Sequence, residues 1–465
     1  MDNPKAEESI EAIKESREEI EHKQQVIEDA AKKHGVCDEQ IAWFRKFTEA
    51  DADWHRAMNK RLLRKVDIHL LPLLVLMYLL NFLDRSNLAQ ARLGTLEKDL
   101  GMTGTDFNLA TSILFVGYLL MQLPSNLLLT RIFLMSSWYT RGELAYRIAW
   151  FYSGSSLSNA FGGLIGAGVL SNLSGAHGIT GWRWLFIIEG TITIGVAIIA
   201  AFILPNYPKN TKWLTPEEQA YAQWRLVDDT GEADVADSIS VKEGVKMAFK
   251  DPRLYLFTLL QHVSILSQAF QYFFPTIVKT LGFGTIETLL LTAPVWILTF
   301  LVSLVATYTS GRLGDRSIHI ICLMLVSVAG NIIAVSTLNT AARFFAIFLL
   351  PVGAVTAYEI ILAWVANSFP RPLVKRSACI SVANLVGNTA NIYGSYMYPA
   401  SDGPRYLPGG AATASVALLV AILAFVVRLV LQRENRRIAQ HEESEREAGV
   451  VGTPETVAVG FRYIL

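Results

Sequence analysis

Charge is scarce in this 465-residue chain, and cysteine is scarcer. Asp, Glu, Lys and Arg make up 18% of it and collect in three places, residues 1–65, 205–253 and 428–447. The formal net charge is zero, which leaves no electrostatic argument for a nucleic-acid partner. The three cysteines, Cys37, Cys322 and Cys379, have spacings that suit neither a metal site nor a disulfide framework. Cys322 and Cys379 fall inside apolar stretches, where a free thiol behaves as a small hydrophobe. No Gly-rich loop stands beside a Lys-Ser/Thr pair, so nothing indicates an ATP drive. The sequence offers no nucleophile–base or metal-ligand constellation, which argues against an enzyme and against a bound cofactor. The first 65 residues are too charged to hold the apolar core of a signal peptide, so the first apolar segment is expected to act as its own insertion signal.

What fills the chain is apolar. Hydrophobic residues are 52% of it, and the mean hydropathy is +0.33. A helix needs about 20 apolar residues to cross the hydrocarbon core. Spans of that kind fall near residues 67–90, 107–130, 145–170, 183–204, 254–279, 287–309, 318–338, 341–367, 376–399 and 411–432. A helix closes its own backbone hydrogen bonds in lipid, and these runs are too long and uniform for barrel strands. The expected fold is therefore an all-α, multi-pass membrane bundle. Four spans precede the charged segment 205–253 and six follow it. That count is odd for a chain built from two similar halves, and the shortfall lies between Leu129 and Ala145.

Lys and Arg near the span ends set the orientation. Lys60, Arg61, Arg64 and Lys65 precede the first span and place the N-terminus in the cytoplasm. Alternation then puts Arg131, Arg141, Arg147, Arg312, Arg316, Arg371, Lys375, Arg376, Arg428 and Arg433 on the same side. The opposite side keeps fewer: Arg92, Lys98, Arg183, Lys279, Arg343 and Arg405. Both termini are thus expected inside. The division reads as a cytoplasmic tail over 1–65, a first bundle over 66–204, a cytoplasmic loop over 205–253, a six-helix bundle over 254–432 and a solvated tail over 433–465. Residues 1–33 carry Ile10, Ile13 and Ile20 at helical spacing and read as a solvated helix, a short coiled coil or a disordered run. Thr215-Pro216-Glu217-Glu218 is a helix start, so part of the central loop is expected to be helical.

Several segments resemble the major facilitator superfamily and, within it, the anion:cation symporter group that includes fungal allantoate and nicotinate permeases. They are Val66-Asp67 with Leu70-Leu71-Pro72-Leu73, Leu83-Asp84-Arg85-Ser86-Asn87, Tyr118 with Gln122-Leu123-Pro124-Ser125-Asn126, and Gly181 to Gly190. Further on are Phe274-Pro275-Thr276-Ile277, Ala363-Trp364-Val365-Ala366-Asn367, Lys375-Arg376 and the group Asp402, Pro404 and Tyr406. The resemblance runs from about residue 60 to 432. It implies six helices per half, and it leaves no counterpart here for the third helix and most of the fourth. Pro124-Ser125-Asn126 ends the second helix, and Ser136 to Arg141 looks like the loop after the fourth. The loss of two adjacent helices would preserve the alternation of sides. It would also remove a Glu that the family carries on its fourth helix.

Asp84 and Arg85 sit late in the first span. If that helix starts at Pro72 and runs to Ala91, the pair is intramembrane, where charge is costly and usually functional. Arg85 then suits a two-pronged contact with a carboxylate, and Asp84 suits proton exchange, the roles the resemblance also implies. A plain helix end with Arg85 snorkelling to the interface is the alternative. Gln261, Gln268 and Gln271 share a helical face, with His262 and Tyr272 beside it, and Asn384, Asn388 and Asn391 share another. Either set is interhelical glue or the polar wall of a path. Glu359 is the lone acid of its span, able to titrate, to pair with Arg85 or to serve as a buried structural carboxylate. Glu189, six residues after Arg183, is expected to brace its helix end. Gly154, Ser158, Gly162 and Gly166 form a close-packing stripe. Gly311-Arg312-Leu313-Gly314-Asp315-Arg316 resembles the superfamily's loop signature, in which Gly311, Asp315 and Arg316 would form a conformational latch.

The reading is a secondary transporter in the plasma membrane. It carries a small organic anion with a proton, by alternating access, as a monomer whose other partner is the lipid bilayer. Substrate would meet Arg85, Gln261, Gln268, Asn384 and Asn388, and the proton would use Asp84 and Glu359. Two other readings stand: a transport-inactive truncated relative, and a membrane sensor that binds ligand without moving it.

Overall fold

Every regular element in the computed structural model is helical among the residues it describes: 38–103, 105–128, 138–204, 208, 211, 213–231, 241–369, 373–447 and 462–465. In chain order the helices are α1 (Asp38–Thr48), α2 (Ala52–Ala91), α3 (Leu96–Asp99), α4 (Asp106–Leu128), α5 (Arg141–Asn172), α6 (Gly181–Ile203), α7 (Pro216–Gly231) and α8 (Val241–Lys250). They continue as α9 (Pro252–Leu266), α10 (Phe274–Lys279), α11 (Thr285–Leu313), α12 (Ser317–Ser336), α13 (Thr340–Ser368), α14 (Leu373–Asn388), α15 (Ala390–Gly394) and α16 (Leu407–Glu447). Residues 1–33, with their expected solvated helix, and the junction at 129–137 lie outside the described residues.

Among the described residues, six helices are long and apolar enough to cross a membrane: α2, α6, α11, α12, α13 and the Leu407–His441 part of α16. The other expected spans are α4, α5 and two interrupted segments. The interruptions correct the single helices expected over 254–279 and 376–399. The first segment is α9, a 3-10 turn at Ala269–Phe273, then α10. Gln268 turns the chain at φ −98°, ψ 5°, and Pro275, which has no N–H to give the preceding turn, restarts the helix near its first position. The second is α14, α15 and a 3-10 turn at Ser395–Met397. Gln261 and Gln268 therefore do not share one helix face, because the break lies between them. Nor does the first span begin at Pro72: α2 starts at Ala52 and carries Pro72 inside it.

The chain forms two compact units. One comprises residues 1–74, 126–147 and 199–238. Its core is aromatic: Phe47 stacks on Trp54 at 5.5 Å, meets Tyr221 edge-on at 5.4 Å, and His55 stacks on Trp224 at 4.9 Å. Residues from the expected cytoplasmic tail, Phe47, Trp54 and His55 among them, thus pack against α7. Helix α7 begins as the sequence indicates: the Glu218 amide donates to Thr215 Oγ1 at 3.3 Å, and the Thr215 amide donates to Glu218 Oε2 at 3.0 Å. The buried Glu218 also receives Lys65 at 2.7 Å and Arg61 at 3.0 Å. Burial opposes its ionisation, but these partners and the Thr215 amide outweigh that cost and hold its pKa below the usual range.

The other unit comprises residues 75–125, 148–198 and 239–465. Helix α12 packs on α13 and α16, and α9 packs on α14 and α16. A Cβ at Gly353 would strike the Leu323 carbonyl and Ser327, so only glycine permits this approach of α13 to α12. The small-residue stripe of α5 lies on α2 as expected. Gly154 faces Val75 and Tyr78, Ser158 donates to the Leu79 carbonyl at 2.9 Å, and Gly162 and Gly166 face Gln90. Asp251 caps α9 and receives Arg253 and Lys375, each at 2.7 Å. Burial opposes its charge, yet these cations hold its pKa at about 2. The resulting stabilisation is full at neutral pH and is lost as pH falls through that value. The tail expected to be solvated after residue 433 is helical to Glu447, with none of its described side chains up to there buried. Residues 462–465 return to the same unit, where Asn435 and Tyr463 exchange bonds at 2.8 and 2.9 Å.

Candidate functional site

Arg85 is half-buried on α2, one position after Asp84. Its guanidinium lies over the Tyr118 ring of α4 at 4.1 Å and near Phe82 at 5.1 Å. Stacking of this kind holds a planar cation without using its N–H donors. Asp84 looks elsewhere, accepting a long bond from Thr193 of α6 at 3.4 Å. Arg85 makes no ion pair with a carboxylate among the described residues, so the pairing with Glu359 weighed from the sequence is not formed.

From Arg85 a run of aromatic and then polar side chains leads to the α9 and α14 segments. Tyr118 neighbours Phe115 on α4, and Phe115 meets Tyr272 edge-on at 5.0 Å. Tyr272 donates to Asn391 Oδ1 at 3.4 Å, and Asn391 reaches Asn388 Oδ1 at 3.5 Å. Asn388 donates to the Asn384 carbonyl at 2.8 Å, and Gln261 Nε2 donates to Asn384 Oδ1 at 2.5 Å. Gln261 is fully buried, so this last bond is glue between helices. Gln268 stands at the break after α9, donating to the Ser264 carbonyl at 3.2 Å and accepting from Gln271 at 2.8 Å. Breaks of this kind bring polar groups to membrane depth where a cavity or protein can satisfy them.

Two acids complete the interior. Glu359 is buried on α13, its Oε1 without a hydrogen-bond partner. It lies beside Ser303, whose hydroxyl meets that of Thr356 at 3.1 Å. Glu189 on α6 is 2% exposed, with neither carboxylate oxygen hydrogen-bonded, and it lies near Asn87 and Asp84. The bracing of a helix end expected of it has no hydrogen bond behind it among the described residues. The signal in the sequence was present: Glu189 stands four residues before Thr193 and so shares its helix face, and Thr193 reaches Asp84. Proximity of α6 to α2 was the missing fact.

At one end of the bundle α4 is bonded to the α14–α15 segment. Asn108 donates to the Ser395 carbonyl at 2.5 Å, Ser112 donates to the Ile392 carbonyl at 2.7 Å, and the Ser112 and Ser395 hydroxyls meet at 2.6 Å. Arg92 lies over Phe107 at 4.2 Å, and Phe107, Phe273 and Tyr398 continue as a closed aromatic cluster. Elsewhere the loop signature is in place. Gly314 supplies the left-handed turn at φ 65°, and Asp315 accepts from Arg428 at 2.5 Å and from the Ile318 amide at the start of α12 at 3.1 Å. Burial opposes the Asp315 charge, but Arg428 and the amide overcome it and lower its pKa. Gly311 is exposed, and buried Arg316 starts α12 with its pKa pushed down to about 10 by burial.

A family profile described as Major Facilitator Superfamily matches residues 131–395, more than half of the chain. The MFS-type transporter cnsO of Penicillium expansum is 30% identical, over 92% of this chain and 95% of the relative. The chain belongs to the Major Facilitator Superfamily. The uncharacterized transporter C1002.16c of Schizosaccharomyces pombe is 28% identical, over 84% of this chain and 86% of its own length. Among solved structures, a bacterial homolog of the human lysosomal transporter Spinster, inward-facing and occupied, superposes with a TM-score of 0.53 at 14% identity. It covers 79% of this chain and 98% of that one, and supports the superfamily fold alone. This superfamily member is thus a multi-pass membrane protein of a transporter family.

Proposed function

We propose that the chain is built as a proton-coupled carrier of a small organic anion, of the anion:cation symporter kind. The observation that carries this reading is Arg85: a cation at the depth of a membrane span, stacked on Tyr118, with no carboxylate partner among the described residues. Its donor edge is available to a substrate carboxylate, for two parallel charge-assisted bonds. Gln268, Asn384 and Asn388 would supply neutral donors and acceptors, with Gln261 fixing Asn384. Asp84 and Glu359 would exchange the proton, with Glu189 beside Asp84 as a third acid. Nicotinate-like and ureide-type carboxylates fit one Arg in a polar cavity. The bundles 66–204 and 254–432 would rock about this site in the plasma membrane, as a monomer with both termini cytoplasmic. In that orientation the Asn108–Ser395 end faces outward and is closed, and the Asp315–Arg428 latch faces the cytoplasm.

Acid variants test the coupling. In a form with demonstrable uptake, Asp84→Asn or Glu359→Gln should cut accumulation against a gradient at least tenfold while leaving exchange of substrate across the membrane. Unchanged accumulation, measured with equal surface expression, would remove the residue concerned from the proton path. The closed end gives a second test. Cysteines at Ser112 and Ser395, in a background lacking the native cysteines, should form a disulfide under mild oxidant and block uptake until reduced. Failure to cross-link would contradict a closed outer end.

The form in hand has a specific defect under this reading. Glycines in packed membrane helices normally let a neighbour come close. Gly353 and Gly330 do so, whereas a Cβ at Gly117 on α4, Gly168 on α5 or Gly190 and Gly195 on α6 would meet nothing within 4 Å among the described residues. Only 11% of the membrane-length window of α6 is buried in the protein, against 72% for α13. The family match begins at residue 131, at the junction. The alignment to the Penicillium relative runs over 500 positions, more than the 465 residues of this chain, so the relative carries residues without a counterpart here. These observations support the absence of two helices from the first half, and with it a transport-poor form.

A further inference from the structure

We propose that the cleft on the N-terminal part of α2 binds the headgroup of an anionic phospholipid. Arg56, Lys60, Arg64 and Ile68 follow one another at four-residue spacing and so lie in a row on one face of α2. With Asn59 and Leu63 they line a cleft of about 610 Å³. The neighbouring row on the same helix behaves differently. Arg61 and Lys65 turn to the buried carboxylate of Glu218. The helix thus sorts its cations into a row answered by protein and a row left open.

Among the described residues the open row meets little acid. Lys60 and Arg64 have no ion-pair partner among the described residues, and Arg56 meets only the exposed Asp53 at 3.1 Å. Asp67, the acid in the cleft wall, is already taken: both its oxygens bind Arg147 at 2.7 Å, and Oδ1 also accepts from Tyr139 at 2.9 Å. The cleft is therefore cationic in excess, and its complement is an anion. The lower end of the row decides which anion. Ile68 is 61% exposed and lies just inside the first apolar span, next to the half-buried Leu63. A ligand that satisfies Lys60 and Arg64 and also covers Ile68 carries a phosphate at one end and a hydrocarbon chain at the other. Basic clusters at the end of a membrane helix recognise that combination. A soluble anion would leave Ile68 uncovered.

The test uses the full chain purified in detergent and needs no transport. Native mass spectrometry should show phosphatidylserine retained as a discrete adduct and phosphatidylcholine of the same chain length lost. Millimolar inorganic phosphate should not displace the adduct. Replacing both Lys60 and Arg64 by Gln should lower phosphatidylserine retention about thirtyfold, the combined effect of two basic side chains near an anionic surface. Lys60→Arg with Arg64→Lys should retain it, and Arg433→Gln with Arg436→Gln should leave it unchanged. Equal retention of the two lipids by the unmodified chain would overturn the proposal, as would displacement by inorganic phosphate or full retention by the Gln variant.

Discussion

Arg85→Lys should abolish uptake of the anion as completely as Arg85→Ala. The two substitutions preserve different parts of the arginine's chemistry. Lysine keeps the positive charge and can still lie over Tyr118, so it retains the cation–π contact, worth roughly 0.5–2 kcal/mol. It loses the planar fork. A hydrogen bond to a charged group contributes about 1.5–3 kcal/mol, so the loss of one prong alone removes roughly ten- to a hundredfold in binding. A point charge also leaves the carboxylate free to rotate relative to the polar groups of the α9 and α14 segments. The comparison is read as initial uptake at equal surface expression, in a form that transports. Full uptake by the Lys variant would exclude the two-pronged contact and return Arg85 to a structural role on the Tyr118 ring.

The second large effect concerns the junction near residue 131. Two membrane spans of about 20 residues and a short connection amount to roughly fifty residues. Inserting the corresponding segment after Arg131 should raise uptake from near background to a saturable rate, and raise surface expression with it. The physical reason is packing. A Cβ at Gly117, Gly168, Gly190 or Gly195 would meet nothing within 4 Å among the described residues, which leaves room for added helices to pack there. Alternating access requires two bundles of comparable rigidity, and α6 has 11% of its membrane window packed against protein, where α13 has 72%. The α5 stripe already packs closely on α2. Saturable, pH-dependent uptake by the 465-residue chain as it stands would show that four helices suffice for the first half.

The long spans were legible because hydropathy over 20 residues is a strong signal and needs no tertiary knowledge. The same holds for two local devices, the Thr215–Glu218 cap and the Gly154–Gly166 stripe, whose chemistry lies within a few residues. The breaks at Gln268 and Thr389 were not legible. The polar spacing runs on across them, and only Pro275 marks the first. The aromatic cluster of the smaller unit was hidden for another reason. Phe47 and Tyr221 lie in charged, polar stretches far apart in sequence, and nothing local pairs them. For the candidate site, Arg85 and the Asn and Gln rows could be named from residue type and depth. Its stacking on Tyr118, the link through Tyr272 and Asn391, and the position of Glu189 beside Asp84 depend on which helices adjoin. A single sequence does not carry that information.

The most direct measurement is proton-gradient-driven uptake of labelled small carboxylates, nicotinate and allantoate among them, into proteoliposomes. The chain extended after Arg131 would be run beside the chain as it stands. The account predicts that the extended form accumulates at least one of these anions only when the gradient is imposed, with collapse on adding a protonophore, and that the shorter form does not. Gradient-independent equilibration, or no uptake of any carboxylate by a correctly folded extended form, would contradict it.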